Sequence, residues 1–389
     1  MNSKERVKTT FKHREPDRVP VFDLGVNEPL GTKILGRKAL VSTGGSVWQR
    51  RAEMLLEDKR DELVEQYARD TIDLYRKLEF DILVIDPHER KNYFKPKRTS
   101  EYTWRYDFGD RWWTTYEYFP EQDLFCERSS NIAEGGIEEF KRVVNIMEKQ
   151  PEAKVDPTQF EALKIAIEEA EEDMFVIGHA DIMLPTFTSW FPVFLEAMIV
   201  DPPLVKAYLE LANKSLIPDL TYQLEMGVDG MHGRMDFCGK NGPVFSPTHF
   251  KEFVQPYLKR ITETCHKYSV PFFKHMDGNI KPIADEVLLK TGIDGYHSIE
   301  PPAGMDIGEI KRKYGEKITL LGNVDAAGVL VFGTPDEVKN ATKEVIKIAA
   351  PGGGFVLASS NCFHGQIPLE NLYAMLEAAR EYGNYPINL

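Results

Sequence analysis

At 389 residues with a formal charge of −13, the chain is long enough for two ordinary domains or one large barrel, and it lacks the basic excess that a phosphate-backbone partner calls for. No apolar run approaches a bilayer span, and the opening MNSKERVKTTFKHREPDRVP is too polar for a signal peptide, so a cytoplasmic protein with neither membrane nor nucleic-acid contacts is expected. The four cysteines, Cys126, Cys238, Cys265 and Cys362, show no CxxC pair and no framework spacing, which argues against disulfides.

Apolar, β-branched runs that end in Gly, Pro, Asp or Asn mark eight candidate strands. In chain order they are RVPVFDLG from Arg18, FDILVID from Phe80, FVIGHADI from Phe175, VDGMHGRMD from Val228, VPFFKHMD from Val270, GIDGYHSIE from Gly292, KITLLGNVD from Lys317 and GGFVLASSN from Gly353. Amphipathic helix patterns lie between them. Examples are EALKIAIEEAEED after Phe160, PTHFKEFVQPYLKRITETCHKY after Ser246 and TPDEVKNATKEVIKIAA after Gly333. Ser246 and Thr334 read as N-caps with Pro at the first helical position.

Eight short apolar strands alternating with helices predict a (β/α)8 TIM barrel, taken here as a single domain over 1–389. A doubly wound open sheet is the alternative, but no GxGxxG follows the first strand. Two insertions interrupt the repeat. Residues 26–79 read as helices over the barrel mouth, and 91–150 contain RTSEYTWRYDFGDRWWTTYEYF, an alternating aromatic hairpin expected to turn at Phe108-Gly109-Asp110. That ribbon could serve as a lid, a dimer contact or simple packing on the barrel. APGGGF, from Ala350, reads as a tight helix-to-strand turn, because no helix N-terminus follows it to cradle a phosphate.

Side chains at i and i+2 of a strand share a face, so His275 and Asp277 project together where FFKHMDGN ends. Cys362 and His364 of SSNCFHG reach the same rim, and a His, a carboxylate and a thiol gathered there point to a catalytic metal. The competing reading is that His275 and Asp277 only hydrogen-bond the strand end. MHGRMDFCG brings His232, Arg234 and Asp236 to another strand end, as ligands, substrate anchors or a polar turn. His179 and Asp181, Tyr296 and Asp325 are further candidates for lining the pocket, and His364 for donating a proton.

KERVKTTFKHREPDRVPVFD, the run from His275 to Asp325, and the C-terminal GTPDEV, APGGGF and IPLENLYAMLEAAREYG together resemble the uroporphyrinogen decarboxylase-like superfamily. The resemblance covers nearly the whole chain apart from the aromatic insertion, and it implies a barrel with its site at the strand C-termini. Within the superfamily, decarboxylases carry an arginine-rich RQAGR-type segment where this chain has FDLGVNEPLG. The cobalamin-dependent methyltransferase branch instead carries a zinc site of H-x-C, a later acidic residue and a Cys before the final helix. Matched onto this sequence, that implies His275, Asp277 in place of the first Cys, Glu300 and Cys362 as metal ligands; His275 and Asp277, joined by His364 on the strength of its own position two residues after Cys362, are the expected catalytic set. Asp for Cys makes the bound metal a harder Lewis acid, suited to an oxygen leaving group.

The resemblance therefore implies an O-demethylase-type methyltransferase. It would move a methyl group from a small methylated substrate, such as an aromatic methyl ether, to the cobalt of a separate corrinoid protein. Zinc is the expected metal, and the cobalamin is expected on the partner because no D-x-H-x-x-G pattern occurs in this chain. Competing readings are transfer in the opposite direction to a thiol acceptor, decarboxylation of a porphyrinogen-like acid, and a non-catalytic module binding a tetrapyrrole or corrinoid protein. A homodimer is expected from the resemblance alone.

Overall fold

The computed structural model describes residues 1–41, 44–151, 154–170 and 173–389. Among them, seven parallel strands stand side by side in the order β1 (Ile82–Val84), β6 (Phe175–His179), β7 (Gly230–Gly233), β10 (Phe272–Met276), β11 (Gly295–Ser298), β12 (Thr319–Val324) and β13 (Phe355–Ser359). The insertion after β1 forms an antiparallel sheet of β2 (Lys97–Ser100), β3 (Thr103–Asp107), β4 (Trp113–Phe119) and β5 (Leu124–Ser130). β8 (Cys238–Gly239) and β9 (Gly242–Pro243) make a small ribbon beside β7 in sequence.

The expected first strand, RVPVFDLG, is not a regular strand, yet it occupies the eighth position of the barrel. Leu357 N donates to Pro20 O at 2.9 Å and Phe22 N to Leu357 O at 3.0 Å on the β13 side, while Asp81 N donates to Val21 O at 2.7 Å on the β1 side. Pro20 has no N–H to offer, so the ladder on this segment is broken into single bridges. Seven strands and this irregular stave close the (β/α)8 barrel.

The closure is stapled from below. Asp81, just before β1 and fully buried, accepts from Arg6 Nη1 at 2.7 Å, Arg18 Nη1 at 2.8 Å, Ser3 Oγ at 2.8 Å and Val21 N at 2.8 Å. The helix Ser3–Phe11, started by an Asn2–Glu5 capping box, carries Arg6 to this point and stacks Phe11 on Phe175 at 6.3 Å. Higher in the lumen, Phe22 meets Phe273 and His297 edge-on at 5.8 and 5.3 Å. A Cβ on Gly295 would sit 2.9 Å from Phe273 Cβ, so the barrel interior admits no side chain there.

The insertions differ from expectation in extent. Of the helices in 26–79, Glu28–Leu35 and Gly45–Leu56 are additions, whereas Arg60–Lys77 packs on Glu161–Ala170 and is the barrel's own crossover helix into β1. Positions 42 and 43 of that stretch, and Glu171 and Glu172 of the helix expected after Phe160, lie outside the described residues. The aromatic hairpin turns as expected, with Phe108 N donating to Trp112 O at 2.9 Å, but it is the middle of a four-stranded sheet that runs into the helix Asn131–Lys149. The helix expected after Ser246 is split into Pro247–Phe253 and Gln255–Lys267, because Pro256 cannot supply an N–H within a continuous helix. Ser246 and Thr334 both cap as expected, accepting from His249 N and Glu337 N. Gly352, Gly353 and Gly354 turn APGGGF through positive φ into β13. No helix among the described residues is long and apolar enough to cross a membrane.

Removing the staple leaves Arg6 buried with only Asp17 as a charged partner. Asp81→Ala is expected to destabilise the protein by about 3 kcal/mol. Urea unfolding of the variant beside wild type measures this, and a loss below about 1 kcal/mol would mean the staple does not hold the barrel closed.

Candidate metal centre at the barrel mouth

β10 and β11 pair in a register that sets His275 opposite His297. Their Nδ1 atoms are 2.8 Å apart, and His297 Nε2 lies 3.2 Å from Ser359 O on β13. A carbonyl oxygen only accepts, so the ring hydrogen of a neutral His297 sits on Nε2 and its Nδ1 is an acceptor. His275 must then donate from its own Nδ1, which leaves the Nε2 lone pair free. Burial keeps both rings neutral: it pushes His297 down to about 3 and His275 well below the usual imidazole value, the latter helped by His297 itself.

The free lone pair faces two carboxylates. His275 Nε2 is 3.7 Å from Asp277 Oδ1 and 3.9 Å from Asp236 Oδ1, and one ligand atom from each of the three residues falls within 4.8 Å of the others. Asp277 Oδ2 is held by Asn361 Nδ2 at 2.5 Å, but the buried Oδ1 has no hydrogen-bond partner among the described residues. Burial raises the carboxyls of both Asp277 and Asp236 above the ordinary range, and mutual repulsion raises Asp277 further. A lone pair, an orphaned carboxylate oxygen and a second carboxylate are thus gathered within one small group. This donor set fits zinc, which accepts nitrogen and carboxylate oxygen at such sites.

Of the four expected ligands, the structure brings His275 and Asp277 together and adds Asp236, which sequence reasoning had placed mainly with the substrate. Glu300 instead holds the turn, its Oε2 accepting from Gly278 N at 2.7 Å. Gly278 has φ +84°, and a Cβ there would lie 2.7 Å from the backbone of Cys238. Cys362 stands outside the three-residue group with its thiol 3.9 Å from Asn27 Oδ1, and burial together with Asp23 and Asp277 pushes that thiol upward, toward the protonated form.

The remaining candidates divide between lumen and scaffold. Arg234 crosses the mouth to Asp86 Oδ2 at 2.7 Å and keeps its buried Nη1 unpartnered. His232 holds Gly178 O at 2.9 Å through Nδ1, leaves Nε2 unpartnered and lies 5.1 Å from the ring of His179. Asp181 is structural, binding the buried Lys274 ammonium at 2.8 Å and Met235 N at 2.5 Å. Asp325 caps its own turn through Ala327 N and Gly328 N, both at 2.9 Å. His364 is placed differently from a proton donor: Nε2 faces Ala326 O at 2.9 Å and Nδ1 accepts from Gln366 N at 3.4 Å, so both nitrogens brace the loop. Tyr296 is fully buried with its hydroxyl toward Met276 O, on the strand face opposite to its neighbour His297.

Sequence reasoning missed His297, Asn361 and Asp86. His297 adjoins the chosen Tyr296, and a parity count from Gly295, whose missing side chain marks the lumen face, would have selected it. Asn361 and Asp86 carried no signal, since their roles depend on which strand ends face each other.

A parallel barrel with histidine and carboxylates converging at its C-terminal rim has the architecture of a barrel enzyme. Residues 132–382 match the family model described as Uroporphyrinogen decarboxylase (URO-D), and the chain belongs to that family. It is 26% identical over 228 residues to the methylcobamide:CoM methyltransferase MtaA of Methanosarcina barkeri, an alignment covering 58% of this chain and 64% of that protein. It is 25% identical over 157 residues to a uroporphyrinogen decarboxylase of Coxiella burnetii, covering 38% of this chain and 41% of the relative. The chain thus spans less than two thirds of the length of these curated relatives. A solved methyltransferase from Methanosarcina mazei superposes over 98% of this chain and 99% of its own with a TM-score of 0.64 at 18% identity, which establishes a shared fold.

The hydrogen-bond relay predicts that His297→Phe, which keeps a ring but removes the acceptor, lets His275 present the wrong tautomer. Zinc affinity is expected to fall by about 10- to 100-fold. Competition against a chromophoric chelator measures it, and unchanged affinity would show that Ser359 and His297 do not set the His275 lone pair.

Proposed function

We propose that the protein is a metal-dependent methyltransferase that takes a methyl group from a small methylated substrate, an ether by preference, and passes it to the cobalt of a separate corrinoid protein. The observation that carries this reading is the convergence of the unprotonated His275 Nε2 with the carboxylates of Asp236 and Asp277. Its family setting, with a relative named as a methylcobamide methyltransferase, supports it. A zinc ion held by these three residues would supply positive charge beside a substrate heteroatom.

When a methyl group leaves an ether, the C–O bond breaks and the oxygen keeps the electron pair, so the mouth of the barrel must favour that developing negative charge. His275 contributes no positive charge, since its ring is held neutral; its part is to present a fixed donor atom. Asn361 and Glu300 hold Asp277 and its glycine turn in place, so the donor set is organised before substrate arrives. The unpartnered Nη1 of Arg234 offers a further donor to a substrate oxygen. Two carboxylates of an all-oxygen-and-nitrogen set make the site harder than a thiolate one, which is why an ether is preferred to a thioether.

Decarboxylation of a polyacidic tetrapyrrole fits the mouth poorly. Arg234 is the one arginine among the site residues, and Asp236, Asp277 and Glu300 set three carboxyl groups where acidic side chains would have to bind.

About one zinc per chain is expected in protein purified without added metal, by inductively coupled plasma mass spectrometry. His275→Ala and Asp277→Ala should each lose metal and methyl transfer to a reduced corrinoid protein together. Zinc uptake should strengthen as pH rises from the ordinary carboxyl range toward neutrality, because both raised carboxyls must lose their protons to bind a cation. Full metal content and turnover in both variants would refute the assignment.

A further inference from the structure

Lys274 lies between Phe273 and His275 on β10, on the strand face opposite the His275 ring, and it is completely buried. Its ammonium has three hydrogens and finds three acceptors, Asp181 Oδ2, Met235 O and His275 O, each at 2.8 Å. None is left for a substrate. Asp181 is equally engaged, its Oδ2 also accepting from Met235 N at 2.5 Å and its Oδ1 from Ile182 N at 2.7 Å.

The tie spans three neighbouring strands, since Asp181 follows β6, Met235 follows β7 and Lys274 belongs to β10. The register sets Lys274 level with Gly233 on β7, and a Cβ at Gly233 would lie 2.6 Å from the Asp181 carboxyl carbon. That bare position lets the carboxylate pass over β7 to the ammonium. Both backbone polar groups of Met235 are thereby fixed, the N–H by Asp181 and the carbonyl by Lys274. The next residue is Asp236. Its Oδ1, 3.9 Å from His275 Nε2, is held from the other side by Asp277 N at 2.9 Å.

A buried ion pair is a weak source of stability, because desolvation of the two charges offsets their attraction. What this pair supplies is geometry. The same ammonium binds the carbonyl that precedes Asp236 and the carbonyl of His275, so two members of the three-residue group are located from one atom. We infer that Lys274 and Asp181 are positioning residues of the metal centre, on the reading of Asp236, His275 and Asp277 as its ligands, and that they set Asp236 against His275 before a cation arrives.

The test uses the full chain, stripped of metal and titrated with zinc in competition with a chromophoric chelator. Lys274→Met alone would leave the Asp181 carboxylate buried without its counter-charge, so the first variant is Lys274→Met/Asp181→Asn, which removes both charges and keeps both shapes. The second is Gly233→Ala, which displaces the Asp181 carboxylate and leaves every charge in place. Circular dichroism checks that each is folded, and should the first fail to fold, the second carries the measurement. Zinc affinity is expected to fall by about tenfold or more in each. The visible ligand-field absorption of the cobalt(II)-loaded variants should move toward that of Asp236→Ala, because it reports ligand number and geometry. Added to Asp236→Ala, either change should weaken zinc binding by less than about threefold further, since nothing remains to be positioned. Unaltered affinity in both variants, or a loss that persists in full on the Asp236→Ala background, would overturn the positioning role and leave the metal centre standing. Wild type that takes up neither zinc nor cobalt would overturn the metal centre and the positioning role with it.

Discussion

The carbonyl of Ser359 determines which nitrogen of His297 carries its hydrogen, and through His297 it determines which nitrogen of His275 is free. Four consecutive strands, β10 to β13, must hold their register for that relay to exist, because β12 sets β13 against β11. A slip of one residue in β11 would put Tyr296 in the lumen and bury His297 outside it. The staple at Asp81 and the irregular stave at 19–22 are remote from the rim, and they close the ring at its other seam, between β13 and β1.

The polar layer formed in this way is unusual in what it omits. His179, His232, His275 and His297 all lie in the upper lumen, and burial lowers each below the usual imidazole value. At neutral pH the layer therefore adds donors and acceptors but no charge. The net negative character of the rim comes from Asp236, Asp277 and Glu300, opposed by Lys274 and Arg234, each of which already has an acidic partner of its own. A cation is the simplest addition that balances such a set.

Much of this was legible in the sequence because it depends on local pattern. Strand period, the i, i+2 pairing of His275 with Asp277 and the Pro-bearing N-caps at Ser246 and Thr334 are all short-range properties, and each is present in the structure. What could not be read is what strands do to one another. The partnership of Asp236 with Asp277 joins the ends of β7 and β10, 41 residues apart along the chain, through a backbone hydrogen bond of 2.9 Å. The bracing of His364 by Ala326 and the orphaned Oδ1 of Asp277 likewise depend on loop positions that no periodicity encodes. The first strand was misread as regular for a different reason: its alternation is correct, but Pro20 withholds the N–H that a ladder needs.

The family model begins at residue 132, whereas the aromatic sheet occupies residues 97–130. The start of the family match consequently falls within the wall of a cavity, with Phe108, Trp112 and Tyr116 before it and Trp190, Tyr208 and Met235 after it. Substitution at Phe108, Trp112 or Tyr116 recuts that wall and touches none of His275, His297 and Ser359 of the relay.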